Sequence, residues 1–165
     1  MGWVTLTLRK TELKRTHADY QMELLEISRE KRKMARENHY EQSILSNRRN
    51  TDNKIAYQNY KAGRDSQNEA ISNIDTSTEE GRKSYEDAQR QLNSAKEDYE
   101  QAKLERESEF EEEMARLEQE ANDIETMLDQ EQVEVEAQLE AISAELESVG
   151  EAISSQIQSS TIKLS

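Results

Sequence analysis

Between residues 85 and 157, apolar side chains recur at spacings of three and four with almost no interruption. The stripe runs from Tyr85, Ala88 and Leu92 through Phe110, Met114 and Leu117 to Leu146, Val149, Ile153 and Ile157. Such spacing places side chains on one face of an α-helix. A narrow apolar stripe flanked by glutamates needs a partner helix to cover it. Only Arg106 and Gln132 interrupt the stripe with polar side chains. Both sit where steps of four follow one another without a three between, a stutter that relaxes left-handed supercoiling.

A weaker stripe precedes it: Leu13, His17, Tyr20, Leu24, Ile27, Lys31, Met34, Asn38, Glu41 and Leu45, with Met22 and Leu25 expected to widen its apolar face. The segment SNRRNTDNK, residues 46–54, is rich in weak helix formers and is a candidate break. Helical character returns through Ile55, Tyr57, Tyr60 and Ala62. Residues 72–81, SNIDTSTEEG, carry two overlapping capping boxes, Thr76-x-x-Glu79 and Ser77-x-x-Glu80, and predict a turn between two helices. Residues 3–8, WVTLTL, are β-branched and leucine-rich with partial alternation, which predicts a short strand or extended arm.

The expected fold is all-α: an elongated antiparallel helical hairpin, paired as a coiled coil, with a short extended or β N-terminal arm. Its parts are an arm at 1–10, a first helical arm at 11–73 with a break at 46–54, a turn at 74–81, a long acidic helix at 82–158 and a tail at 159–165. Composition supports an open architecture over a thick core. Only 33% of the 165 residues are hydrophobic and 35% are charged, too apolar-poor for an ordinary globule. Low hydrophobicity with a net charge of -14 also fits disorder. The absence of proline and the regular phase of the apolar positions argue against it.

Charge is unevenly placed. Residues 1–75 hold 14 Lys and Arg against 11 Asp and Glu, and residues 76–165 hold 8 against 25. The acidic half argues against a nucleic-acid binder. The cluster Arg29, Lys31, Arg32, Lys33 and Arg36 reads first as ordinary helix surface that pairs with the acidic half, with the binding of something anionic as the alternative. Between Phe110 and Leu128, glutamates fill nearly every flanking position, so a parallel homodimer of this segment would oppose like charges. The first arm is the expected partner, with residue i lying opposite roughly 150 minus i for a turn near residue 75. The second helix then exceeds the first by about 30 Å at 1.5 Å per residue, leaving its last apolar positions uncovered. Together with the arm they define an expected self-association surface: Trp3, Val4, Leu6, Leu8, Leu139, Ile142, Leu146, Val149, Ile153 and Ile157.

Candidate chemistry is sparse. Acidic pairs such as those in EFEEEMARLEQE, residues 109–120, arise from composition, and a two-helix pairing offers no dry pocket to shift a carboxyl pKa. His17 and His39 are in neither a Glu-x-x-His nor an HExxH pattern, and the four glycines are far apart. No catalytic residue, cofactor site or metal site is assigned. The chain lacks cysteine, and MGWVTLTLRK has no charged segment ahead of its apolar stretch, so it does not read as a signal peptide. No apolar run approaches the ~20 residues that span a bilayer. Location stays open among cytoplasm, export by a signal-independent route and a virion.

The function expected from these features is structural and non-enzymatic: self-assembly of helices into a homopolymer such as a filament, tube or virion-type assembly. Copies of the chain are the expected partners, with other helical proteins as candidates, and no nucleic acid or membrane insertion. A helical adaptor, a chaperone-like binding module or a transient scaffolding protein is the alternative. The design resembles that of helical subunits of secretion filaments and flagella, a resemblance of architecture with no shared motif.

Overall fold

In a computed structural model, residues 2–162 are described, with side chains up to Ser160. They form two α-helices, α1 (Trp3–Ser72) and α2 (Glu79–Ile162), with no strand among the described residues. The chain divides into two compact units, each holding a segment of both helices. One comprises Met1–Glu37 with Glu120–Ser165, and the other Asn38–Gln119.

In the first unit the two segments run antiparallel. Arg9 pairs with Glu145 at 2.7 Å, and Lys31 with Asp129 and Gln132. On α1, Leu6, Lys10, Leu13, His17, Tyr20, Leu24, Ile27, Lys31 and Met34 turn inward in alternating steps of four and three. Ile27, Leu128 and Val135 form the buried cluster, with Tyr20 and Leu24 packed on it. Two helices alone make a thin core, and among the described residues no side chain is completely enclosed.

Residues 3–8 were expected to be extended, and they are instead the first turns of α1. Two local effects overcome the β-branched composition. Leu6 falls in phase with Leu13 and is buried, so the helix gains an apolar contact that a solvated strand would lack. The hydroxyls of Thr7 and Thr11 donate to the carbonyls of Trp3 and Thr7, at 2.8 and 3.0 Å, which satisfies them within the helix.

The second unit is a hairpin. Arg49 pairs with Glu107 at 2.9 Å, and the Tyr60 ring stacks on Tyr99 with centroids 4.5 Å apart. α1 runs without interruption through residues 46–54. This polar stretch is held by polar contacts. The Arg49 guanidinium lies over the Phe110 ring at 4.4 Å, and Asn53 Oδ1 accepts from Arg106 Nε at 3.2 Å. Tertiary pairing outweighs weak intrinsic propensity here. The inward positions also change rhythm. Gln42, Leu45, Arg49, Asn53, Ala56, Tyr60, Arg64, Gln67 and Ile71 follow steps of three, four and four, an eleven-residue repeat. Glu41 is exposed, and Gln42 turns inward beside it.

The turn occupies residues 73–78. Asp75 Oδ1 accepts from the Ser77 backbone N–H at 2.9 Å, and Thr78 Oγ1 accepts from the Gly81 N–H at 3.1 Å. Thr78 is therefore the N-cap, one or two residues after the two threonine and serine positions that the capping boxes suggested. Gly81 stands where the turn folds back on the helix: a Cβ there would lie 1.7 Å from the Asp75 carbonyl oxygen. The predicted tail, 159–165, continues α2 as far as Ile162, and residues 163–165 lie outside the described residues.

Candidate functional site

The ten positions expected to mediate self-association all lie in the first unit, and its helices divide them into two groups. Leu6 is buried, and Leu139, Ile142, Leu146, Val149 and Ile153 are half-buried on the inward face of α2. Trp3, Val4, Leu8 and Ile157 are more than half exposed. The cause is register. α1 begins at Trp3, and Arg9 reaches Glu145 while Lys10 Nζ comes within 3.8 Å of a Cβ built on Gly150. Pairs therefore lie further along α2 than the 150-minus-i rule places them, and α1 covers apolar positions that the rule leaves bare.

The outward face of α1 follows from the same phase. Val4, Leu8, Met22 and Leu25 each precede an inward residue, Leu6, Lys10, Leu24 and Ile27, by two positions. Two residues turn a helix by about 200°, so these four side chains form a line on the side away from α2. Met22 and Leu25 thus do not widen the core face; both are more than half exposed. The line continues through Arg29, Arg32 and Arg36 in the same steps, and these three residues with Ala35 line a shallow surface depression. Among the described residues none of the three arginines meets a carboxylate. Arg32 and Arg36 donate instead to the helix carbonyls of Ser28 and Arg32. Lys31 does reach α2, and Lys33 pairs with Glu37 on its own helix. The basic cluster is therefore split: Lys31 faces inward, Lys33 is exposed beside Glu37, and the three arginines form an outward row.

α2 in this unit has the opposite character. The sequence contains no Lys or Arg from residue 117 to residue 162. Of the eleven Asp and Glu in 120–162, Glu145 and Asp129 form cross-helix ion pairs with Arg9 and Lys31. Glu131, Glu134 and Glu140 have no cationic partner among the described residues. Thr126, Gln130 and Val133 form the outward line here, and with Asp129 and Glu134 they border another shallow depression.

The second unit holds a polar cluster. Leu45, Arg48, Arg49, Asp52, Asn53, Arg106, Glu109, Phe110 and Glu113 surround a cavity of about 80 Å³. Three guanidinium groups face three carboxylates, so the lining is neutral. Arg49 Nε and Arg106 Nη2 are buried without a protein acceptor. Arg106 is the predicted stutter position, and the structure places it against Asn53; the other, Gln132, accepts from Lys31. At both, the polar residue in the stripe faces a polar residue on α1.

His17 lies half-buried on the inward stripe and His39 is exposed. No group of three or more His, Asp or Glu is placed to hold a metal ion among the described residues. No described helix is long and apolar enough to cross a membrane. Comparisons with protein-family models, with curated proteins and with solved structures find no match.

The surface signal that sequence reasoning missed is the row formed by Met22, Leu25, Arg29, Arg32 and Arg36. It was readable as a line two positions ahead of the inward stripe, a shift of about 200°.

Proposed function

We propose that the chain is a non-enzymatic structural protein whose helices pair as a coiled coil and whose copies associate into a homopolymer, of the filament, tube or virion type. The observation that carries this reading is the outward face of α1 in the first unit, where large apolar side chains lie in one line. Val4, Leu8, Met22 and Leu25 are each more than half exposed on that line. Scattered exposed apolar residues are ordinary on a protein surface, but aligned ones mark a contact. The uneven charge adds to this. Residues 1–37 carry nine Lys and Arg against six Asp and Glu, while residues 120–162 carry acids only. Two faces of opposite sign on one chain favour attraction between copies.

Sedimentation velocity over a wide concentration range, with electron microscopy of the same samples, tests the reading. Species much larger than the monomer are expected to grow in above a threshold concentration and to appear as regular assemblies. A single monomeric species at every concentration overturns it.

A further inference from the structure

We infer that the contact between copies is heterologous: the outward line of α1 in one copy packs on the outward side of α2 in the next. This rests on the self-association proposed above and specifies its surfaces. The α1 line is apolar at Met22 and Leu25 and then basic at Arg29, Arg32 and Arg36. On α2, Val133, Ala137, Glu140 and Glu147 each precede an inward residue, Val135, Leu139, Ile142 and Val149, by two positions. They too form a line, apolar first and acidic after, on the face away from α1.

The two lines match in order, and two of the three arginines match a glutamate in spacing to within one residue. From Leu25 the arginines follow at four, seven and eleven residues. From Ala137 the glutamates follow at three and ten. Set parallel with Leu25 beside Ala137, the arginine row runs along the glutamate row. The Arg29, Arg32 and Arg36 guanidinium groups have no carboxylate within their own chain's described residues, and Glu140 has no cation. A second copy supplies what each lacks. Side by side in parallel, two α1 lines would oppose their arginine rows and two α2 lines their glutamates, so like-charge repulsion disfavours both parallel symmetric pairings. A contact between two different faces leaves one of each free on every dimer and continues into a chain of copies.

Two variants test this. Leu8→Glu/Met22→Glu/Leu25→Glu blocks the α1 line, and Val133→Lys/Ala137→Lys blocks the α2 line. Every substituted side chain is exposed, so helix content by circular dichroism is expected to match the wild type; a triple Ser variant replaces the triple Glu one if it does not. Each variant alone is expected to lose the polymer and sediment as monomer. Their equimolar mixture is expected to form dimers and nothing larger, because each complex then has both free faces blocked. Raising salt from low to molar concentration is expected to weaken wild-type assembly, since the arginine and glutamate rows are exposed. Assembly by either variant alone at wild-type level overturns the inference, as does a mixture that stays monomeric. Wild-type protein that pellets with anionic lipid vesicles, together with a Val133→Lys/Ala137→Lys variant that still polymerises, also overturns it, assigning the arginine row to an anionic surface. Wild-type protein that never assembles refutes the proposed function itself, an outcome distinct from these.

Discussion

Replacing Gly81 by alanine sets two expectations in opposition. Helix propensity favours the change by up to about 1 kcal/mol, because alanine is the better helix former. The turn opposes it. A Cβ on residue 81 would sit 1.7 Å from the Asp75 carbonyl oxygen, 2.9 Å from its carbonyl carbon and 3.0 Å from Thr78 Oγ1. Ordinary contact begins near 3.4 Å, so backbone must separate from backbone by roughly 1.7 Å. That movement costs the Thr78 cap, about 1 kcal/mol, and breaks the exposed Asp75–Ser77 hydrogen bond, with van der Waals strain in addition. The net expectation for Gly81→Ala is a loss of about 1–2 kcal/mol, or a fall in Tm of about 2–8 °C for a chain of this size. Gly63 is the control. It lies within α1, and a Cβ there meets nothing within 4 Å, so Gly63→Ala is expected to gain about 0.5–1 kcal/mol. Urea unfolding followed by far-UV circular dichroism gives both values. A Gly81→Ala protein as stable as Gly63→Ala refutes the close approach as the reason for glycine.

Two further outcomes are expected. Leu128→Ala, in the buried cluster with Ile27 and Val135, should cost about 2–3 kcal/mol in urea unfolding, whereas Leu104→Ala, at a position 72% exposed, should stay within about 0.5 kcal/mol; equal effects would contradict the placement of the seam. The Asp75 carboxyl is held below its ordinary range, first by the Ser77 side chain and then by the Ser77 backbone N–H. A group whose pKa falls on folding contributes stability that is present above its unfolded value, near 3.9, and lost as pH drops through the folded one. Asp75→Ala should therefore be less stable than the wild type at neutral pH, with the difference shrinking on acidification below the aspartate range, and a difference that widens there contradicts the sign.

Much of the helix pairing was legible in the apolar phase. On α2, the positions from Ala88 to Ile153 turn inward as their spacing implied, with Tyr85, Ile124 and Ile157 exposed. On α1, Leu13 to Asn38 do the same. What was not legible depends on contacts made across the hairpin. Residues 46–54 look like a break because asparagine and serine are poor helix formers, yet Arg49 and Asn53 find Phe110, Glu107 and Arg106 far away in sequence. WVTLTL reads as a strand by composition, and one leucine in phase with Leu13 decides for helix. The register escaped as well, since it depends on how the turn closes. The outward arginine row was visible as a cluster; its direction was readable only from its phase relative to Leu24, Ile27 and Lys31.

The two inward rhythms of α1 bear on how chain length can change. A seven-residue insertion advances a helix by about 20° less than two full turns, and an eleven-residue one by about 20° more than three. Eighteen residues make five complete turns, so a loss of eighteen returns every later side chain to its former face. A loss of one or two residues swings the outward line toward the seam. Because Arg9, Lys31 and Arg49 are each tied to a fixed level on α2, a loss on one helix needs a matching loss on the other. Viable shorter or longer forms of this chain should therefore differ by paired deletions or insertions in whole repeats, one on each side of the turn.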